Sequence, residues 1–478
     1  MIDDLPETLA KSVGKGYVIA PAGFGKTHLI AESVRKASKR QLVLTHTYAG
    51  VNAIRKKMQL LKIPSSLYHV DTIASWSLRQ CLSYPKTSGW KKEAPSKNDW
   101  NKLYGVCSGL LDRPFMRRII LSSYGGLYVD EYQDCNKCQH ALIEALSNLV
   151  PSRILGDPMQ AIFDFSGQEK PIDWETEIYP HYQLLGKLSE PWRWKRAGAD
   201  ELAKWLKEAR ALLEKNAQIP LTGKLPAGVN LHSIDINDYA ARGRLNCFYK
   251  HKGNMDSVIA IYSGDVKSKN KAHSLARSLS GDFSSLEEVE GKDLHSIVKK
   301  IDAANTSAAT LLLSVGLLKK CCTAINEVLT ASIKKGEVGK VTRSTRCPEI
   351  LIAANAFLAS DSYQDLAQFL HLVQNRHEVT VYRRDLLYRL MNVFRTYAEH
   401  DAPTLAEAAT RYQQQFRHSG RPIRHNRLIA TTLLVKGLEY DHAIVLEADT
   451  MSIKDLYVAI TRGSKSVTLV TVAQSVPA

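Results

Sequence analysis

Two short stretches hold side chains whose types and spacing suit nucleotide chemistry. The first is YVIAPAGFGKTHLI, from Tyr17 to Ile30. It reads as a buried strand, a glycine-containing loop and the first turn of a helix. Gly23 and Gly25, with Ala22 before them, let backbone N–H groups come close to phosphate oxygens, and the helix that follows, with His28 in its first turn, points its positive end at the same place. Lys26 would reach the outer phosphates and Thr27 would ligate Mg²⁺. Ala20 holds the first glycine position of the G-x-x-x-x-G-K-[ST] pattern. The second stretch is LYVDEYQD, from Leu127 to Asp134. An apolar strand ends here in two acids. Asp130 at the strand's C-terminal end can hold Mg²⁺, and Glu131 can orient or deprotonate an attacking water. By itself an Asp-Glu pair is equally a solvated turn. Beside a phosphate loop it becomes the metal and base half of an NTP-hydrolysing site.

Such a site needs strands that end side by side and helices that start at those ends. The apolar runs supply them. Leu42–Tyr48 reads as a strand leading into a helix from Ala49 to Met58. Asp200–Asn216 is an amphipathic helix, Val229–Ile234 and Ser257–Ser263 are strands, and a Lys-rich helix follows. Residues from about 290 to 425 carry helical periodicity, after which Leu428–Leu434, Ala443–Leu446 and Ser466–Val472 return to strand. With 478 residues the chain can form two or three domains. Its formal net charge of +16 points toward a polyanionic partner, although a basic surface also serves solubility. The eight cysteines are scattered, and Cys135-x-x-Cys138 has no second pair at zinc spacing, so a reducing cytoplasmic setting is expected. No stretch before the phosphate loop reads as a signal peptide, and the longest apolar run, Ala308–Leu318, is too short to span a bilayer.

The order of motifs resembles a known family. DEYQD at Asp130–Asp134, followed by GDPMQAIF at Gly156–Phe163, resembles motifs II and III of superfamily 1A helicases of the UvrD/Rep/PcrA type. LSEPWR (Leu188–Arg193) is similar to motif IV, VKGLEYD (Val435–Asp441) to motif V and DLYVAITR (Asp455–Arg462) to motif VI. The resemblance runs from residue 20 to residue 463. It implies an α/β fold of two RecA-like P-loop NTPase domains, parallel sheets flanked by helices, with shortened helical insertions. The first domain would cover 1–195 with a small insertion at about 83–118; the second would comprise 196–289 and 426–478, separated by a helical insertion at 290–425.

The resemblance also assigns roles. Gln160 would sense the γ-phosphate, Arg193 and Arg462 would pair with it, and Glu439 would bond the ribose hydroxyl. His46 and Thr47 fall in the motif Ia loop that touches single-stranded DNA. Trp76 falls in the next such loop, and is equally a core anchor. Phe163 and Phe165 stand where relatives stack aromatics on DNA bases, a contact that tolerates any sequence; their alternative is the core. Ser166, Ala74 and Leu433 replace the Arg, His and His common in the family, and Pro191 replaces an Asn. No Gln precedes Gln41, so the adenine-reading Gln of relatives has no counterpart. The implied activity is an ATP- or NTP-dependent, Mg²⁺-requiring translocase or helicase on single-stranded DNA, of 3′-to-5′ polarity, serving bacterial phage defence or DNA repair. The brevity of both insertions resembles the UvrD-like helicase subunit of Gabija-type phage-defence systems. No second catalytic constellation remains in the sequence and the insertions are short, so a partner protein of nuclease type is expected to dock on 290–425. The rival expectation is a DNA-stimulated NTPase that acts as sensor or scaffold for a nuclease without processive unwinding. No membrane role is expected.

Overall fold

A computed structural model describes residues 4–163, 170–234, 238, 246–250, 255–287, 291–399, 403–419 and 426–478. The chain divides into two compact units, one of residues 1–217 with 453–461, the other of residues 218–452 with 462–478.

In the first unit six strands form one sheet: β1 (Lys15–Ile19), β2 (Gln41–Thr45), β3 (Tyr68–Thr72), β4 (Gly126–Val129), β5 (Ser152–Gly156) and β6 (Gln183–Lys187). Their order is β3-β2-β4-β5-β1-β6 and every pairing is parallel. β2, β4 and β5 are buried along their whole length, as expected of strands covered on both faces. The alternation of side chains along a strand divides the covering into two cores. Val43, Tyr128 and Leu155 pack with Leu29, Val34, Ile54 and Met58 of the helices Lys26–Arg35 and Tyr48–Leu60. Leu42, Leu44, Leu127, Val129 and Ile154 face the other way, onto helices Ile73–Ser83, Trp100–Leu111 and Lys137–Ser147. The stretch expected as an insertion at 83–118 therefore contributes to the main core: Leu103, Tyr104, Cys107, Leu110 and Leu111 of helix Trp100–Leu111 are buried there. The helix Asp200–Glu214 also belongs to this unit, so the division falls between Ala217 and Gln218 rather than near residue 195.

The second unit contains β7 (Ile219–Pro220), β8 (Val229–Ser233), β9 (Val258–Tyr262), β10 (Ser284–Ser285), β11 (Cys322–Thr323), β12 (Thr380–Val381), β13 (Arg427–Thr431), β14 (Tyr440–Leu446), β15 (Gly463–Thr471) and β16 (Ser475–Val476). Six of them make a second all-parallel sheet in the order β10-β13-β9-β14-β15-β8. The fold is thus α/β, built on two parallel sheets with flanking helices, as two RecA-like domains require. β13 stops at Thr431, where Thr432–Val435 turns into a short helix, so the strand expected over Leu428–Leu434 is shorter. Between β10 and β13 lies helical structure, including Lys292–Asp302, Ser307–Cys321, Pro348–Ser360, Tyr363–Gln374, Arg384–Glu399 and Leu405–Ser419. It has its own apolar core, around Leu311, Phe357, Leu370 and Phe394. Among the described residues no helix is long and apolar enough to cross a membrane.

Candidate active site

The strand order of the first unit makes β4, β5 and β1 neighbours, so the three segments that leave their C-terminal ends lie side by side. That is where ligands of parallel α/β sheets bind. From β1 comes the loop Ala20–Gly25. It is pinned by Ala20 N donating to Gly156 O at 2.9 Å, and the helix starts at Lys26 with Leu29 N donating to Gly25 O at 3.0 Å. Gly23 and Gly25 have φ of +74° and +93°, a region that side chains disfavour. A Cβ on Gly23 would come within 2.9 Å of Arg193 Cβ. A side chain at Gly23 would therefore force Arg193 or Trp194 to shift, while the loop's other positions carry Pro21, Ala22 and Phe24, all buried. Ala22 is buried, Thr27 half-buried and His28 exposed.

From β4 come the acids. Lys26 Nζ lies 2.6 Å from Glu131 Oε1 and 3.2 Å from Asp130 Oδ1. Burial works against the lysine's charge, but the two carboxylates outweigh it and its pKa is raised. Burial also raises the pKa of Asp130; Lys26 opposes that shift and the charge of Glu131 adds to it. Glu131 itself has φ of +54°, in the left-handed region, which costs a non-glycine residue about 1 kcal/mol or more. This backbone turn brings its carboxylate to the ammonium.

From β5 comes Asp157, fully buried, which caps the turn Pro158–Gln160 through Oδ1 (Met159 N, 3.2 Å) and accepts from Gln160 Nε2 at 2.9 Å. Gln133 joins the two strand ends. Its Nε2 donates to Glu131 Oε2 at 2.5 Å and its Oε1 accepts from Asp157 N at 3.0 Å. Arg193, beside the phosphate loop, takes Gly23 O on its backbone N–H at 3.0 Å and donates Nη1 to Thr461 O at 2.6 Å.

A metal and a nucleotide fit these donors. Two carboxylates converge on the foot of the loop with the Lys26 ammonium between them, and Thr27 follows Lys26 in the helix that starts there. Thr27 and Asp130 would hold Mg²⁺, leaving Glu131 to face the attacking water.

Residues 91–172 match the UvrD/REP helicase N-terminal domain. The matched segment carries both acids, Gln133, Asp157, Gln160 and Phe163; the phosphate loop lies before it. No curated protein matches the sequence. Among solved structures the chain is similar to arterivirus nonstructural protein 10, a helicase, in complex with DNA: 15% identity, TM-score 0.28, covering 55% of this chain and 50% of that one. The match thus spans half of the viral chain's length.

The remaining expected residues are scattered. Trp76 is 0% exposed, packed in the core with Leu103 and Val129, and its placement corrects the expected DNA contact. The physical reason is helical phase. Thr72 caps the helix through Ser75 N at 3.0 Å, which puts Ile73, Trp76, Ser77 and Cys81 on the inward face. His46 is half-buried with Nε2 3.5 Å from Cys135 Sγ, and Thr47 is exposed, accepting from Gly50 N at 3.1 Å as a helix cap. Phe163 is half-buried, while Phe165 and Ser166 lie outside the described residues. In the second unit Glu439 is exposed and Arg462 is only 1% exposed, with Nη1 donating to Leu438 O at 3.2 Å.

Sequence reasoning assigned no role to Gln133, Arg210 or Trp192. The indole of Trp192 is 43% exposed, and its Cδ1 would be 3.2 Å from a Cβ on Gly25. An aromatic next to Arg193 was the available signal for a surface that can stack on a base.

Proposed function

We propose that this chain is an ATP-hydrolysing motor that moves along single-stranded DNA in the 3′-to-5′ direction, of the superfamily 1A type. The observation that carries the reading is the convergence of Lys26 with Asp130 and Glu131 at the foot of the glycine-containing loop Ala20–Gly25. In this reading backbone N–H groups of Ala22–Thr27 receive the phosphates, and Lys26 leaves the acids for the outer phosphate oxygens. Bound Mg²⁺ supplies charge neutralisation on the phosphates. Glu131, aimed by Gln133, takes a proton from the attacking water. Gln160 and Arg193 meet the terminal phosphate, where a planar, permanently charged guanidinium clamps developing charge. Trp192 stacks on the base in place of a Gln-mediated contact, which favours tolerance among nucleotides. In the second unit Arg462 and Glu439 keep the γ-phosphate and ribose roles that the resemblance implies. His46, Thr47, Phe163 and Phe165 are proposed contacts to DNA, where stacking without base readout suits a motor.

The matched family segment supports helicase chemistry; substrate, polarity and biological setting belong to the proposal. We place the chain in bacterial phage defence beside a partner nuclease. The support is the resemblance of its short insertions to Gabija-type subunits, together with exposed apolar Leu312, Val338, Val341 and Ile352 on the helical part.

The test is strand displacement on duplexes with a 3′ or a 5′ single-stranded tail, with Lys26→Ala as the inactive control. Unwinding of the 3′-tailed duplex alone is the expected result. Hydrolysis stimulated by DNA with no displacement on either substrate would replace the motor by the sensor or scaffold reading.

A further inference from the structure

Arg210 projects from the helix Asp200–Glu214 and is mostly buried. Its guanidinium spans three segments far apart in sequence. Nη2 donates to Asp157 Oδ1 at 2.7 Å and Nη1 to Asp157 Oδ2 at 2.8 Å, a two-point grip on a carboxylate with no exposure to solvent. The same Nη1 donates to Tyr457 OH at 2.6 Å, and the guanidinium carbon lies 5.0 Å from the Tyr457 ring centroid. Nε donates to Glu214 Oε1 at 2.8 Å. Burial lowers the arginine's pKa, but Asp157 and its other partners outweigh that and leave it raised, so it stays charged.

We propose that Arg210 is a positioning residue that links the phosphate-sensing turn Pro158–Gln160 to the helix Ile453–Ile460. The proposal deepens the NTPase reading and rests on it.

The argument begins with Asp157. A carboxylate accepts about four hydrogen bonds. Asp157 accepts from Met159 N, Gln160 Nε2 and the two Arg210 nitrogens, which fill that number. For Gln160 to reach a terminal phosphate, its amide has to leave Asp157. Without another cation that departure would leave a buried carboxylate short of partners, which is costly. Arg210 keeps the charge compensated while Gln160 moves, so the sensor can exchange partners cheaply. Lysine could not do this, because it lacks the planar fork that grips both oxygens at once.

The second half of the argument is the shared nitrogen. Arg210 Nη1 serves both Asp157 Oδ2 and Tyr457 OH. Any reorientation of the carboxylate is therefore felt at Tyr457. The segment that carries Tyr457 also offers Thr461 O to Arg193 Nη1. Two groups proposed to meet the terminal phosphate, Gln160 through Asp157 and Arg210, and Arg193 directly, thus converge on residues 453–461. This segment lies in the first unit while the residues on either side of it in the chain belong to the second. A change of its position reaches both units through the covalent chain.

The experiment compares Arg210→Lys and Tyr457→Phe with the unaltered chain. It measures binding of a fluorescent ATP analogue, hydrolysis with and without single-stranded DNA, and thermal melting. For Arg210→Lys the expected result is a Kd within about threefold of the unaltered chain and a kcat lower by about tenfold or more, the split that marks loss of transition-state positioning rather than of binding. Tyr457→Phe keeps the ring over the guanidinium and the Asp157 grip; it should melt normally, bind the analogue normally and lose about fivefold or more of the stimulation by DNA. If both variants keep kcat and DNA stimulation within about twofold, the link is structural only and the proposal is overturned. If Arg210→Lys fails to fold, Tyr457→Phe decides alone. An unaltered chain that hydrolyses no NTP, with or without DNA, would instead refute the NTPase reading itself.

Discussion

Replacing Glu131 by Gln separates two effects that the geometry predicts to have opposite signs. Glu131 is assigned as the base that takes a proton from water, and a positioned base contributes about 10²–10⁴ in rate. Its loss should therefore slow single-turnover hydrolysis by that factor, about 3–5 kcal/mol in the barrier. Binding should change the other way. Glu131 Oε1 holds Lys26 Nζ at 2.6 Å, and that bond must break before the ammonium reaches a phosphate. A charge-assisted hydrogen bond is worth about 1.5–3 kcal/mol net. The Glu131 side chain is 33% exposed, so solvent screening reduces this to about 1 kcal/mol. A neutral amide competes less well for Lys26, and nucleotide should bind about fivefold more tightly. Gln133 would still hold the substituted side chain in place, since an amide oxygen accepts as a carboxylate oxygen does. The assay is stopped-flow binding of a fluorescent ATP analogue beside single-turnover hydrolysis of ATP. Turnover within threefold of the unaltered chain would sink the assignment of the base; weaker binding would show that Glu131 supports the loop rather than competing for its lysine.

Other outcomes follow from the same placements. Trp76→Ala should destabilise the first unit by about 3–5 kcal/mol in chemical denaturation, as for a large side chain removed from a packed core; a normal melt with weakened DNA binding would return Trp76 to the DNA-facing role. Phe163→Ala with Phe165→Ala should weaken single-strand binding by about 1–3 kcal/mol per lost stack and uncouple hydrolysis from DNA, read by fluorescence anisotropy and turnover; unchanged stimulation would return both rings to the core. Trp192→Ala should raise KM about tenfold with kcat retained, and equal kinetics would remove the base-stacking role. His273 has a side chain 14% exposed, and burial lowers its pKa from 6.5 to about 4, with nearby Arg383 and Lys269 adding to the shift against Glu287 and Asp293. A depressed folded-state value means its contribution is present above pH 6.5 and lost as pH falls through 4. Up to about 3 kcal/mol is at stake over that window, at about 1.4 kcal/mol per unit. Thermal melts from pH 7 to pH 4 should fall less steeply for His273→Gln, and parallel curves would contradict the assignment.

Legibility from sequence followed distance along the chain. The phosphate loop and the acids after β4 were readable because each joins a strand end to its chemistry within a few residues. The two parallel sheets were readable from buried runs such as those of β2 and β9. Trp76 was ambiguous because a tryptophan after a strand suits either a loop or an inward helix face. What decided it was the cap at Thr72, which fixes helical phase through a single hydrogen bond. Gln133 sat within a recognised motif, but its work joins residue 131 to residue 157, and no local pattern records that. Arg210 was further from view. It is an ordinary arginine on an amphipathic helix until the sheet brings Asp157 to it and the chain returns at Tyr457. That the first compact unit runs on to Ala217 was hidden for a related reason, since Asp200–Glu214 has the periodicity of any surface helix and only its partners tell which core it covers.

The return of residues 453–461 to the first unit sets a timetable for synthesis. A ribosome delivers everything needed for the six-stranded sheet by residue 217, yet the helix that closes against Arg210 appears only after residues 218–452 have been made. At ~5–20 residues per second that interval is on the order of ten to fifty seconds. During it Asp157 and Arg210 can already pair, while the aromatic face that will cover the arginine is still missing. The nascent first unit therefore has the Asp157–Arg210 grip formed while its link to Tyr457 is still open, until residues 453–461 are made.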